Sequence, residues 1–285
     1  MPAATHARIG HGAGFRAPAL IAVAHGSRDP RSAATMTAVT EQIAAARPDL
    51  DVRLAFLDLN APSVDQVIDA VAAQGHTRAI IVPLLLGNAF HARVDLPGLL
   101  AVAAARHPRL ELIQADVLGA DARLVSALRD RVIAADHAVV GAARTSAVAM
   151  RGPRGSGEGT SHAGALPDSR LGIAVAAVGS SSAAANVRTA EVARSLAAMT
   201  GWSTEICFAT TGPSVTEAAA RLRARGAERL LVAPWFLAPG LLTDRLMKQA
   251  PDLVHAQVLG PHSTLIDIVL DRYHAAADAS VLRTA

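Results

Sequence analysis

His25, Asp58 and His91 stand at equal intervals of 33 residues (58−25 and 91−58). Two imidazoles and a carboxylate make a mixed nitrogen and oxygen donor set suited to Fe(II), Co(II), Ni(II) or Zn(II). Neutral imidazole also accepts a proton near neutral pH, so the same residues suit general base work. Singly, each has a blander reading. A histidine after a strand is more often a hydrogen-bonded loop residue than a ligand, and an aspartate such as Asp58 is commonly a helix or turn cap. Their joint placement is what favours a functional site.

Each residue follows an apolar run that reads as a β-strand: Leu20 to Ala24, Val52 to Leu57 and Ala79 to Leu86. Helical periodicity fills the intervals, over Arg31 to Arg47 and Ser63 to Gln74, and continues over Leu96 to Arg106 and Asp121 to Ala135. Val64, Val67, Ile68 and Val71 form one stripe, with Gly75 as terminator. A fourth strand is expected near Leu110 to Gln114. Strand and helix in alternation imply parallel strands, whose carboxyl ends border the ligand crevice in an open sheet. A flavodoxin-like order of 2-1-3-4 sets the three strands side by side at about 5 Å per step, close enough for one ion. Gly26 would let backbone approach a ligand. Phe90, His91 and Arg93 would suit a flat anion. Asp95, before Leu96-Pro97, reads as a helix cap, and the remaining histidines, His76 in its Gly-His-Thr turn among them, read as solvated.

The chain then repeats itself. Ala61-Pro62-Ser63-Val64 returns as Gly212-Pro213-Ser214-Val215, and Arg78 to Pro83 returns as Arg229 to Pro234, both at an offset of 151 (212−61 and 229−78). Ala24-His25-Gly26-Ser27 lines up with Ala177-Val178-Gly179-Ser180 at an offset of 153 (177−24). Duplicated domains follow, over 18–136 and 170–276, with a flexible tail at 1–17, a Gly/Ser/Arg-rich linker at 137–169 and a C-terminal tail at 277–285. On these offsets His25, Asp58 and His91 fall opposite Val178, Ala209 and Leu242. A fold that needed the polar trio for stability would not lose all three together.

Composition narrows the partners. The 285 residues are 51% hydrophobic, ample for cores, yet no stretch reads as a membrane span and the first 17 residues lack a secretory h-region. Cys207 is the only cysteine, which excludes an internal disulfide and a Cys-ligated zinc or iron–sulfur site and fits a reducing cytoplasm. Lys248 is the only lysine, the net charge is +3, and aromatic residues make up 3% of the chain. Scattered arginines with so few stacking platforms are weak evidence for nucleic acid, and arginine's planar fork makes an anionic small molecule as natural a partner as phosphate.

His25-Gly26-Ser27-Arg28, then Phe56-Leu57-Asp58 with Ala61-Pro62-Ser63-Val64, then Pro83-Leu84-Leu85-Leu86 leading to His91 and Asp95-Leu96-Pro97, resembles the CbiX/SirB class of sirohydrochlorin chelatases. These class II chelatases insert a divalent metal into sirohydrochlorin, and long members are fused tandem copies with one catalytic half. The resemblance implies an α/β fold of two tandem chelatase-like, flavodoxin-like domains, each a four-stranded parallel sheet flanked by helices. It implies that His25 and His91 bind metal and transfer protons in the first domain. Asp58 would be the third member where the family usually has Glu, its shorter arm acting through water or by polarising a histidine. Arg28 and Arg93, with Ser27 in the turn, become candidates for gripping the substrate's carboxylates. The second domain becomes a degenerate, non-catalytic lid or support, whose Trp235-Phe236-Leu237 would cover the tetrapyrrole or simply pack in the core.

The metal is then a substrate, Fe2+ giving siroheme or, as the alternative, Co2+ for cobalamin, and no organic cofactor is expected. Sirohydrochlorin and the metal are the expected partners, with no nucleic acid and no membrane, for a cytoplasmic monomer that is an internal pseudo-dimer. A non-catalytic metal or tetrapyrrole carrier is the reading from another class. A two-His-one-carboxylate oxygenase fits less well, since such sites normally sit on β-rich scaffolds.

Overall fold

The structure is a computed structural model that describes residues 17–87, 95–150 and 170–284, with side chains described outside 140–150 and 281–284. The first half runs β1 (Ala19–Ala24), α1 (Pro30–Ala46), β2 (Val52–Phe56), α2 (Val64–Ala73), β3 (Arg78–Pro83), α3 (Leu96–Arg106), β4 (Glu111–Gln114) and α4 (Ala122–Met150). The second runs β5 (Leu171–Ala177), α5 (Ala183–Thr200), β6 (Ser203–Phe208), α6 (Val215–Ala224), β7 (Arg229–Pro234), α7 (Leu241–Gln249), β8 (Val254–His255) and α8 (Ser263–Thr284). Both sheets are parallel, in the order β2-β1-β3-β4 and β6-β5-β7-β8. The expected 2-1-3-4 order is therefore present twice.

The repeated Pro-Ser-Val motif proves to be a helix start. Ser63 Oγ accepts from the Gln66 N–H while Gln66 Oε1 accepts from the Ser63 N–H, and Ser214 and Glu217 do the same at α6. Each pair satisfies two N–H groups that the first helical turn leaves without partners. The stripe Val64, Val67, Ile68 and Val71 is buried against the sheet, as its spacing predicts.

Alternation along β1 sends its two faces to different cores. Ile21 and Val23 pack with α2 and α3, whereas Leu20, Ala22 and Ala24 face a larger core that also holds Ile173, Val175 and Ala177 of β5. That second core is continuous across both sheets. Between them lie Met36, Val39 and Ile43 of α1, Leu124, Leu128 and Val132 of α4, Leu196 of α5, and Leu265, Ile268 and Val269 of α8. At roughly 1.5–3 kcal/mol for each large side chain buried, this layer dominates the packing energy.

Two helices cross over. α8, at the end of the second half, lies against β3 and β4 of the first sheet, while α4 of the first half lies against β7 of the second. Polar contacts follow the same exchange. Tyr273 donates its hydroxyl to Pro18 O at 2.8 Å, Arg78 donates to Ser280 Oγ and Ala277 O, Arg131 donates to Leu259 O at 2.9 Å, and Arg229 pairs with Asp136. Two expected boundaries are thereby corrected. α4 continues to Met150, well into the stretch expected as linker from 137, because that stretch is rich in Ala and Val and free of Pro. The expected tail from 277 is the end of α8, with Ser280 buried at 1% exposure. The expected tail and linker residues 1–16 and 151–169 lie outside the described residues. Among the described residues, no helix is long and apolar enough to cross a membrane.

A chain ending at Met150 would leave the β3 and β4 face without α8. We expect it to self-associate or to melt without a cooperative transition. Analytical ultracentrifugation and calorimetry check this, and a cooperatively folded monomer would contradict it. Acid should loosen the docking of the halves. Hydrogen bonds from Arg31 hold the Asp29 carboxyl below the ordinary carboxylate range, and those from Arg123 do so for Asp121. Asp121 itself also accepts from Arg272 of the second half at 3.4 Å, and the two arginines reach across to Asp244 and Asp271. A lowered carboxylate contributes stability that is present above its ordinary pKa and lost as pH falls through the lowered value. Near-ultraviolet circular dichroism should be steady above about pH 4 and change below it.

Candidate active site

The crevice outside the first sheet is built from three strand ends in register. Ala24 pairs with Phe56 and Val23 with Pro83, so β1 delivers the chain between its two neighbours. Beyond the strands the pairing continues: Leu57 N–H donates to Ala24 O at 2.9 Å, Asp58 N–H to His25 O at 3.0 Å, and Leu84 N–H to Val23 O at 2.8 Å. His25 and Asp58 are therefore backbone neighbours on adjacent strands, and both are exposed to the crevice side of the sheet edge. His91 and Arg93 belong to residues 88–94, outside the described residues. Among the described residues, no three His, Cys, Asp or Glu side chains form a metal-binding group.

Gly26 is dictated by a close approach between main chains. Its φ is +98°, and a Cβ placed there would stand 1.8 Å from Asp58 O. Only glycine allows the chain to leave β1, pass over the β2 loop and enter α1. Asn60 completes the junction, its Oδ1 accepting from the Ser27 N–H at 2.7 Å. Nothing in the sequence marked Asn60 beyond its turn-forming type. Ser27 Oγ accepts from the Asp29 N–H at 3.1 Å, so both polar groups of Ser27 shape the turn. Asp29 caps α1, its Oδ1 accepting from the Arg31 N–H at 3.0 Å, and it is buried at 8% exposure. Arg28 is exposed and, among the described residues, makes no hydrogen bond or ion pair, which leaves it open to an anionic ligand.

Asp58 has a local task. Its Oδ1 accepts from the Leu59 N–H at 2.8 Å, in a turn where Leu59 takes a φ of 64°. The bland expectation of a turn cap thus holds for one of its two oxygens.

The comparison between copies needs correcting at two of three positions. His25 does face Val178, since Thr210 N–H donates to Val178 O at 3.0 Å as Asp58 N–H donates to His25 O. The same bonds put Asp58 opposite Thr210 rather than Ala209, because the loop after β2 is one residue longer than that after β6. From Pro83 to the α3 cap at His107 is 24 positions (107−83), and from Pro234 to the α7 cap at Ala250 is 16 (250−234). Leu242 therefore matches Leu99, and of the eight extra residues six lie in the loop before the helix, which leaves His91 without a counterpart.

Other expectations also change. Asp95 does stand at the N-cap of α3, but with helical backbone angles and no side-chain cap bond. His76 is buried at 6% exposure, its Nε2 2.9 Å from Asp51 Oδ2. Burial works to raise the pKa of Asp51, but hydrogen bonds from Arg53 and His76 leave it lowered. This pair sits at the amino end of β2, away from the crevice. Trp235 and Phe236 are core residues, at 4% and 8% exposure. Burial pushes the Cys207 thiol up to about 12, so it is no nucleophile.

Two doubly wound units sharing one core, with a histidine and a carboxylate at the crevice of the first, define a tandem chelatase-like α/β protein. The chain belongs to the CbiX family, whose model matches residues 19–135 and 172–276. A sirohydrochlorin ferrochelatase of Priestia megaterium is 36% identical over 117 residues, covering 40% of this chain and 43% of the relative. A sirohydrochlorin cobaltochelatase of the same organism is 26% identical over 230 residues, covering 79% of this chain and 65% of the relative. The chain thus spans less than two thirds of the length of these curated relatives. Among solved structures, SirB from Bacillus subtilis with Fe3+ superposes with a TM-score of 0.69 at 23% identity, over 93% of this chain and 97% of that one.

Gly26→Ala tests the junction. A methyl group at the Asp58 carbonyl must displace the turn or the loop, and we expect a loss of more than about 2 kcal/mol. Urea denaturation measures it; an unchanged midpoint would show that the two backbones do not abut.

Proposed function

We propose that this protein is a sirohydrochlorin chelatase that inserts a divalent metal, with His25 and His91 as ligands to the incoming ion and acceptors of the pyrrole protons. The observation that carries the reading is the placement of His25 at the carboxyl end of the central strand, backbone-bonded to Asp58, inside the half that the family model covers from 19 to 135. Insertion removes two N–H protons from the macrocycle as M(II) enters and sheds its ligands. A neutral imidazole does both parts of that work: it holds the ion, and it takes a proton at near-neutral pH. Asp58, with one oxygen engaged by Leu59, supplements the histidines through the other. Arg28 and Arg93 grip substrate carboxylates, and Ser27 contributes by shaping the turn beside Arg28 rather than by direct contact.

Iron is our preferred metal, giving siroheme. Cobalt stays in view because the relative aligned over the longer stretch is a cobaltochelatase, and donor affinity by itself ranks Co(II) above Fe(II). The second half, with Val178 in place of the histidine, serves as a non-catalytic support. Since one chain supplies both halves of the shared core, a monomer in the cytoplasm is the proposed form, with the metal as substrate and no organic cofactor.

Purified protein mixed anaerobically with sirohydrochlorin should shift the pigment's absorption on addition of Fe(II), Co(II) or Ni(II), and the rates rank the metals. His25→Ala and His91→Ala should each slow insertion by about 100-fold or more, the scale of a lost general base. Asp58→Asn should cost less, about tenfold or under. A carrier would bind metal and leave the pigment's spectrum unchanged, and folded histidine variants that insert at the wild-type rate would dismiss their proposed roles.

A further inference from the structure

The turn that carries His25 is held from the opposite half of the molecule. Arg31, two residues into α1, forks between two carboxylates: its Nη2 lies 2.6 Å from Asp29 Oδ2 and 2.6 Å from Asp244 Oδ2, while its Nε donates to Asp29 Oδ1 at 3.0 Å. Asp244 stands in the first turn of α7, and Arg31 is its only side-chain hydrogen-bond partner among the described residues. The backbone comes with it. A Cβ built on Gly240, the residue before α7, would stand 3.7 Å from Asp29 Cβ and 3.9 Å from Ser27 Oγ. Thr243, buried, fixes that helix start by bonding both the N–H and the carbonyl of Gly240, at 2.9 Å and 2.7 Å.

The chain contains its own comparison. In the other copy the helix cap is Ser182 in place of Asp29, and the position of Arg31 is Ala184 at the same offset of 153 (182−29 and 184−31). The position of Asp244 is Ala101, by the offset of 143 that matches the two helix caps (250−107 and 244−101). The bridge therefore exists only at the turn that bears the histidine. Docking the halves does not explain that asymmetry, because a similar bridge, Arg123 to Asp121 at 3.1 Å and to Asp271 at 2.5 Å, already joins them elsewhere.

We propose that Asp244 and Arg31 are positioning residues: through them the second half clamps the β1–α1 turn and sets where His25 stands. The second half is then a working part of the site that contributes no ligand. The kinetic side of the test rests on the chelatase reading, whereas the exchange side does not. Hydrogen exchange by mass spectrometry on the full chain should show the peptide over residues 24–31 exchanging about tenfold faster in Asp244→Asn than in wild type. Asp271→Asn, which removes the other bridge, should leave that peptide unchanged, and Asp244→Glu should restore protection. Arg31→Lys, which keeps the charge but loses the fork, should repeat the effect and serves if Asp244→Asn does not fold. In sirohydrochlorin assays Asp244→Asn should lower kcat about tenfold while KM for the metal moves less than about twofold, the pattern of a misplaced group rather than a lost binding contact. Unchanged exchange at 24–31 in both Asp244→Asn and Arg31→Lys, or an equal effect from Asp271→Asn, would overturn the proposal. Were wild type inactive on sirohydrochlorin while the exchange pattern held, the chelatase reading would fail and the clamp would stand.

Discussion

The apolar layer between the two sheets is the constraint on which the rest of the molecule depends. Each sheet has one face covered by helices of its own half and one face that only the opposite half can finish covering. β1 shows the division within six residues, since Ile21 and Val23 turn to α2 and α3 while Leu20 and Ala22 turn to the shared layer. The exchange of α4 and α8 makes the sharing obligatory, because β3 and β4 receive a helix from the far end of the chain and β7 receives one from the first half. A parallel sheet buried on both faces needs continuous hydrophobic strands, and β1 and β5 are buried at every residue. The duplication is therefore a single folding unit whose halves cannot each keep their apolar faces from water.

That constraint also decides what the site is made of. With β1 central and wholly buried, the chain emerges from the core at His25 with no freedom of direction, and Gly26 must then turn it across the Asp58 carbonyl. The histidine's backbone is tied to one neighbouring strand, its turn to the β2 loop through Asn60, and its helix cap to α7 through Arg31. The position of His25 on this scaffold is fixed by main-chain contacts of its turn. The polar residues around it carry the same message: Ser27, Asp29 and Asn60 spend their hydrogen bonds on the turn.

The two copies have diverged by loop length as much as by side chain. Their strands, capping boxes and positive-φ glycines, Gly26 and Gly179, remain matched. The connection after β3, residues 84–95, is six residues longer than the one after β7, residues 235–240 (12−6), and it is the segment that contains His91 and Arg93. Conversely, the shorter β7–α7 connection brings Gly240 against the histidine's turn. The two copies thus differ on a nearly symmetric core chiefly in what joins strand to helix.

Local information was enough for most of the fold. Apolar runs and helical stripes located elements of the first half, including the helix that starts at Ser63, and the recurring segments showed a duplication, because all of these are consequences of hydrogen bonding and burial within a few residues. The donor types at His25, Asp58 and His91, and the family resemblance of their motifs, were legible in the same way. What depends on residues distant in sequence was not. Reading a constant offset through loops of unequal length placed Asp58 and His91 opposite the wrong partners, since the Asp58 and Thr210 bonds set the register at the first and the lengths of the β3–α3 and β7–α7 connections decide the second. The reach of α4 and α8, the burial of His76 against Asp51, the core location of Trp235, and the hold of Asp244 on Arg31 all came from the tertiary structure. Each is a contact between segments brought together by the shared apolar layer, and no periodicity in a linear chain records which of its faces will meet.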